Sequence, residues 1–327
     1  MKIPKVDVHR HYGGSCSVDF VWDVITKHNL KYLAETREDV VQAMTFDPYE
    51  KRSFSRFMDK FRLLDALPWS ESLIDLSIQQ ICHDLITENI SFCWLDFSIN
   101  KYMCIGWHRY EAIEFIRNSF NIHAPNRVGL VLSLRYESAR AGQKQLAKLI
   151  DMPRVADCVI GLDLVSDEAE FNPNFYAPIM KSWRSAGKIC RAHVGESQSG
   201  INVLYAINMG CNHIAHGFKA WEYPEIIELA LDKNICFDLA LTSNELAGCW
   251  TNKSWHPIRA MVDAGLMCTI GTDDPVTCST NDKLLTLDNE YQRLRDLGFS
   301  QDEIDKITLT AVKRTAALGI PQFSEFL

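Results

Sequence analysis

The 327-residue chain carries 34 lysines and arginines against 42 aspartates and glutamates, a net charge of −8, and is 47% hydrophobic. That size and composition suit one large globular domain or two modest ones, and the acidic balance argues against nucleic acid, which ordinarily meets a basic face. Eleven cysteines are scattered singly with no Cys-x-x-Cys, no apolar run approaches the ~20 residues of a membrane span, and Met1-Lys2-Ile3-Pro4-Lys5 leads straight into a strand, so a soluble cytoplasmic protein with no membrane partner is expected.

The first apolar run, Val6-Asp7-Val8, ends in His9-Arg10-His11-Tyr12-Gly13-Gly14. Alternation along a strand puts His9 and His11 on one side and Arg10 on the other, a spacing that suits two ligands on one metal. An isolated His-x-His also arises by chance. From residue 17 to about 89 the period becomes helical: Val18, Val21, Trp22 and Ile25 recur at three and four, as do Phe54, Phe57, Met58 and Phe61. Some seventy helical residues exceed a normal crossover, so part of 17–89 is expected to cap one end of the domain. The Phe54, Phe57, Phe61 stripe reads first as core, and second as the apolar wall of a pocket.

Further short apolar runs follow at 90–97, 128–135, 159–164, 189–194, 212–217, 235–240 and 267–271, mostly separated by helical segments at 110–120, 146–150 and on to 186, with a last helix over 304–318. Near-continuous apolar strands belong to a parallel sheet covered on both faces, and eight of them predict a (β/α)8 TIM-type barrel with extra helices capping its C-terminal mouth, the whole of 1–327 forming one domain. An open doubly wound sheet is the rival, but no Gly-x-Gly-x-x-Gly follows the first strand.

In such a barrel catalytic groups sit at the C-terminal ends of strands. That rule selects His9 and His11 from the first strand, His193 and Glu196 from the fifth, His216 from the sixth, and Asp273 and Asp274 from the eighth. Three imidazoles and a carboxylate are a credible shell for a zinc ion that keeps a position open for water, with Fe2+ and Mn2+ as alternatives. The remaining carboxylates and imidazole are then free to move protons and hold substrate. Taken singly, each has a bland reading: an Asp-Asp before proline caps a turn, and His213 or His216 is a hydrogen-bonded core histidine.

Together, Pro4-Lys5-Val6-Asp7-Val8-His9-Arg10-His11, His193-Val194-Gly195-Glu196, His213-Ile214-Ala215-His216-Gly217, Thr242-Ser243-Asn244, His256-Pro257, Thr272-Asp273-Asp274-Pro275 and Glu290-Tyr291 resemble the adenosine deaminase family of the amidohydrolase superfamily. The resemblance implies His9, His11, His193 and Asp273 as zinc ligands, Glu196 as the proton donor to purine N1, His216 as the group that orients the attacking water and accepts its proton, and Asp274 as the partner of purine N7. It places Ser166 where the family usually has a glycine whose backbone reaches the purine, and Gly13 where adenosine deaminases carry a ribose-binding aspartate and adenine-specific relatives a glutamate. Trp94 and Asp96 replace the glutamate and arginine usual on the second strand, which reads as a repacked barrel interior. Leu239-Ala240-Leu241 stands where the family has Cys-Pro.

The expected activity is hydrolytic deamination of a 6-aminopurine nucleoside, adenosine or 2′-deoxyadenosine, with a purine nucleoside or nucleotide as the partner. The alternatives are a deaminase of adenosine monophosphate, of its N6-substituted form or of a 5′-extended adenosine, a hydrolase of another bond, and a catalytically silent purine-binding module. For the nucleotide alternative, Arg10, Lys51, Arg52 and Arg56 are the cations within reach of a phosphate if the cap brings them in. Oligomeric state is not legible.

Overall fold

The structure is a computed structural model that describes residues 3–98, 106, 108–138, 149–281 and 283–327. Eight parallel strands pair in chain order: β1 (Val6–His11), β2 (Phe92–Ser98), β3 (Val128–Arg135), β4 (Val159–Val165), β5 (Ile189–Val194), β6 (His213–His216), β7 (Cys236–Leu239) and β8 (Met267–Ile270). The expected (β/α)8 barrel is present, with strand ends within three residues of the apolar runs. Every strand is buried along almost its whole length, as a sheet covered on one face by helices and on the other by its own interior must be.

The seam between β8 and β1 is closed just past β8. The His11 N–H donates to the Asp273 carbonyl at 2.7 Å, and the Asp273 N–H donates to the His9 carbonyl at 2.7 Å. Backbone pairing at the joint therefore sets three candidate ligands side by side before any side-chain contact is counted.

The helical stretch after β1 divides into α1 (Val18–Lys27), α2 (Arg37–Met44), α3 (Phe54–Asp59), α4 (Arg62–Asp65) and α5 (Glu71–Thr87). Ser17, Thr36, Ser53 and Ser70 punctuate it, each accepting a backbone N–H at the start of its helix, a contribution of about 1 kcal/mol apiece. Helix α5 packs on α6 (Arg109–His123) in the outer ring. Phe46 instead joins the mouth: its N–H donates to the Ser279 carbonyl at 2.9 Å, and it packs with Phe57, Leu246, Ala247, Cys278 and Leu285. Phe54, Met58 and Phe61 lie against this cluster, so the aromatic stripe is both core and wall.

The outer ring continues through α7 (Pro153–Cys158), α8 (Pro173–Ser185), α9 (Ile201–Met209), α10 (Pro224–Asp232), α11 (Leu241–Leu246), α12 (Ile258–Asp263), α13 (Leu287–Asp296) and α14 (Gln301–Ala316). The helix expected over 146–150 falls largely outside the described residues. At the opposite end Val6, Phe92 and Ile189, the first residues of their strands, meet Val312, Ala316 and Phe323 and floor the barrel. Trp94 Nε1 donates to Thr315 Oγ1 at 3.0 Å there. The cysteines among the described residues are free and mostly buried. Among the described residues no helix is long and apolar enough to cross a membrane.

Candidate active site

The four histidines selected from the sequence converge. Ring centroids lie 4.9 Å apart for His9 and His193, 5.1 Å for His11 and His193, 5.0 Å for His9 and His216, and 5.1 Å for His193 and His216. Asp273 Oδ1 stands 3.2 Å from His9 Nε2 and 3.1 Å from His11 Nε2. Donor atoms of His9, His11 and His193, and those of His9, His216 and Asp273, are mutually within 4.8 Å. Asp274 joins His11 and Asp273 at the same rim.

One atom tests whether this set suits a metal. His9 Nδ1 lies 3.0 Å from the Asp238 carbonyl oxygen; a carbonyl only accepts, so Nδ1 carries the proton and a neutral ring offers its Nε2 lone pair inward. That Nε2 is buried and makes no hydrogen bond, although Asp273 faces it. A lone pair and a carboxylate oxygen at this separation call for a cation. His193 agrees: burial, only partly offset by Asp163, pushes it down to about 4, which keeps its ring neutral. At His11 burial is outweighed by the carboxylates of Asp274, Asp273 and Asp96, which raise it to about 10. The donors, three imidazoles and a carboxylate, fit a divalent metal with a free position.

His193 and Asp273, like His9, are held from behind. His193 Nε2 bonds to Asp163 Oδ2 at 3.0 Å, the Tyr136 hydroxyl donates to the His193 carbonyl at 2.8 Å, and Ser243 Oγ donates to Asp273 Oδ2 at 2.5 Å. Such outer partners fix ring orientation and ligand basicity.

Glu196 and His216, the residues expected to carry protons, sit beside this cluster. Burial, with Asp273 and Glu168 adding to it, pushes the Glu196 carboxyl up to about 8, and burial drives His216 well below its ordinary value. His216 Nε2 is 3.6 Å from Glu196 Oε2 and 4.0 Å from Asp273 Oδ2. The Asn244 amide nitrogen reaches both groups, Glu196 Oε1 at 3.3 Å and His216 Nδ1 at 2.9 Å. Burial and its neighbour Asp273 hold Asp274 well above the carboxylate range.

With the geometry in place, comparison with known proteins is informative. The sequence model of the family described as Adenosine deaminase matches residues 4–321, nearly the whole chain. This chain belongs to the adenosine deaminase family. An adenosine deaminase of Clostridium kluyveri is 26% identical over 96% of this chain and 90% of its own length. Two solved structures share the fold: an amidohydrolase from Burkholderia ambifaria with bound Zn (TM-score 0.78, 18% identity, 99% of this chain and 91% of that one) and the N6-methyl-AMP deaminase of Arabidopsis thaliana (TM-score 0.79, 19% identity, 99% and 96%). Membership makes the protein a hydrolytic deaminase and places it in a metal-dependent family, acting on adenine-type substrates.

The remaining sequence expectations sort themselves against that deaminase frame. Ser166 takes φ +88°, the left-handed conformation that a glycine adopts freely, and turns its hydroxyl to Glu137 at 2.6 Å. Gly13 has open space: a Cβ built there comes no closer than 3.8 Å to the ring of Phe61. Its neighbour Gly14 has none, since a Cβ would stand 1.9 Å from Asp274 Oδ1. Arg10 is fully buried, bonded to Glu88 at 3.0 Å and to Ser15 at 3.2 Å, and does not face the mouth. Arg56 and Arg52 are engaged as well, Arg56 with Glu50 at 3.4 Å and Arg52 with the Asp47 carbonyl at 3.0 Å.

Two acidic residues had no role in the sequence reading, Glu168 not singled out and Glu290 quoted only within a motif, because both act on backbone. The Glu168 carboxylate accepts the N–H groups of Gly195, Glu196, Ser197 and Gln198 at 2.6–3.1 Å, together with the Asn202 amide at 2.9 Å. Glu290 accepts the N–H of Leu241 at 2.7 Å and of Thr242 at 3.1 Å at the start of α11, which carries Ser243 and Asn244. A proline at 241 would have no N–H to give, so the change from Cys-Pro adds a bond. An acidic residue two places beyond Ser166 was the available signal for Glu168.

Proposed function

We propose that the protein is a zinc-dependent aminohydrolase that converts a 6-aminopurine nucleoside, adenosine or 2′-deoxyadenosine, to the 6-oxo nucleoside and ammonia. His9, His11, His193 and Asp273 would hold the zinc, which when bound supplies Lewis acidity that lowers the pKa of water towards about 7. The observation that carries the reading is a pair of carboxyls, Glu196 and Asp274, both kept in the protonated range beside a neutral His216. Protonated carboxyls are donors, and a purine offers ring nitrogens as acceptors.

Addition of water to an aromatic C6 removes ring stabilisation, so N1 must gain a proton as the C–O bond forms. Glu196 gives that proton, and His216 takes one from the water at Nε2 once Asn244 presents its amide oxygen, rather than its nitrogen, to Nδ1 and so leaves the Nε2 lone pair free. The C6 adduct then expels ammonia, which leaves with the proton held by His216, while the hydroxyl proton returns to Glu196 as the 6-oxo group forms. Asp274 donates to N7 and Gly14 leaves it room to do so. Asn244 spaces the two proton carriers, and Glu168 fixes the turn on which Glu196 stands.

Substrate choice turns on Gly13. Without a carboxylate there the ribose loses a charge-assisted partner, and Phe61 offers an apolar wall in its place. Three of the four cations offered for a phosphate are engaged, Arg10 with Glu88, Arg56 with Glu50 and Arg52 with the Asp47 carbonyl, which favours the nucleoside. The second reading, an adenosine monophosphate or its N6-substituted form, is favoured by the vacant side at Gly13. The test is turnover by zinc-loaded protein of adenine, adenosine, 2′-deoxyadenosine, adenosine monophosphate and N6-methyl adenosine monophosphate, followed as the absorbance change to the 6-oxo purine. Rapid use of the nucleosides supports the first reading; use confined to the nucleotides replaces it with the second, and no use of any overturns both.

A further inference from the structure

Beneath the ligand cluster the barrel interior sets one guanidinium against three carboxylates. Arg191 of β5 is fully buried. Its Nε donates to Asp163 of β4 at 2.7 Å, its Nη1 to Asp238 of β7 at 3.3 Å and to the Val8 carbonyl of β1, and its Nη2 to Asp96 of β2. One side chain on β5 thus ties down four other strands. The cation of this cluster comes from the fifth strand, and the second strand supplies an anion, Asp96.

Every partner of Arg191 except Asp96 leads to a ligand. Asp163 Oδ2 accepts from Arg191 Nε and bonds His193 Nε2 at 3.0 Å through the same oxygen. The Asp238 carbonyl holds His9 Nδ1 at 3.0 Å, and Val8 directly precedes His9. These two routes differ in strength. Asp238 has other holds on its carboxylate, His213 Nδ1 at 2.9 Å and Thr269 Oγ1 at 2.7 Å. Among the described residues Asp163 has only Arg191 and His193, its Oδ1 being buried without a hydrogen bond.

We propose that Arg191 is a positioning residue for metal binding: by fixing Asp163 it sets the orientation of the His193 imidazole, and by fixing Val8 and Asp238 it steadies His9. The proposal rests on the metal-site reading above. A guanidinium presents its donors in a fixed plane, which a lysine ammonium does not reproduce. Without that fork, three carboxylates crowded on one point repel, Asp163 turns, and His193 turns with it. The effect passes mainly through His193, because Asp163 has no other restraint.

The test is a zinc titration of metal-free protein against a competing chelator of known affinity, on wild type, Arg191→Lys, and the double variant Asp96→Arg with Arg191→Thr, which moves the cation to the second strand. Circular dichroism and the Tm of the metal-free proteins report folding separately. Arg191→Lys is expected to bind zinc about 10–100-fold more weakly, the usual size of an outer-partner loss, with kcat of the loaded enzyme falling more than KM changes; the double variant recovers most of the affinity. A folded Arg191→Lys that binds as tightly as wild type overturns the proposal, as does a folded double variant no tighter than the lysine one. If the lysine variant does not fold, the double variant decides alone: near wild-type affinity supports the proposal, and a loss of tenfold or more overturns it. Folded wild type that fails to take up zinc would instead remove the metal-site reading, and this inference with it.

Discussion

Replacing Glu168 by glutamine tests whether the turn carrying Glu196 is held as described. The carboxylate is 3% exposed and serves five N–H donors, two on Oε1 (Gly195 and Asn202) and three on Oε2 (Glu196, Ser197 and Gln198). Glutamine keeps the shape but makes one of the two atoms a donor. In the cheaper orientation the amide nitrogen takes the Oε1 place, so two N–H groups lose their acceptor and face another donor. At about 1–3 kcal/mol for each stranded group, the expected loss is about 4 kcal/mol. For a chain of this length that corresponds to a fall in Tm of about 6 °C. Glu196 sits inside the released turn, so kcat is expected to fall by at least tenfold while metal content stays near one per chain. Differential scanning calorimetry, metal analysis and steady-state kinetics on Glu168→Gln make the comparison, with Asn202→Ala as the control that removes one donor and keeps the charge. A Glu168→Gln protein with unchanged Tm and full kcat would show that the five bonds do not hold the turn.

Glu196→Gln should abolish measurable turnover yet retain metal, whereas His193→Ala should lose both; kinetics and metal analysis on the same preparations separate the two roles. The donor must be protonated to act, and its value is raised to about 8, so kcat/KM should be level at lower pH and fall as pH rises through a value at or below 8, the positive metal drawing it down; an alkaline limb lying clearly above 8 would assign it to another group. Gly14→Ala should drive Asp274 off its position and raise KM for the purine, because the new methyl carbon meets its carboxylate; unchanged kinetics would mean that Asp274 does not hold the base. Gly13→Asp has room beside Phe61 and should improve use of unmodified adenosine, and no gain in kcat/KM would mean that the ribose is held by other groups.

The barrel and its ligand cluster were legible because their signals are local. A strand buried on both faces must be an unbroken apolar run, and chemistry-bearing residues such as His9, His193 and Asp273 sit where those runs stop. Asn244 and Glu290 stood in motifs of the resemblance without a role, and Glu168 and Arg191 were not singled out at all, since their partners are backbone groups or side chains brought near by the closing of the barrel. Arg10, read as a cation available to a phosphate, belongs to the outward side of β1 and is consumed by Glu88; alternation already separated it from His9 and His11, and that argument outweighs its proximity in sequence. The left-handed conformation of Ser166 is a torsion angle, which composition does not reveal. Asp96 matched its expectation of a repacked interior, though only the structure supplies the partner that makes an unpaired aspartate tolerable there.

The joint between β8 and β1 has a consequence for how the protein is made. Because Asp273 pairs with His9 and His11 across that joint, the candidate ligands come from the beginning and the end of the chain and meet only when the last strand slots into place. On the ribosome, the first two histidines emerge long before their carboxylate partner exists. A nascent chain therefore has no finished metal pocket until Asp273 has been made and paired, and metal loading belongs after that point. Chains shortened ahead of β8 should emerge unable to retain the ion at all, and a metal-dependent gain in protease resistance should report completion of the barrel rather than the folding of any one segment.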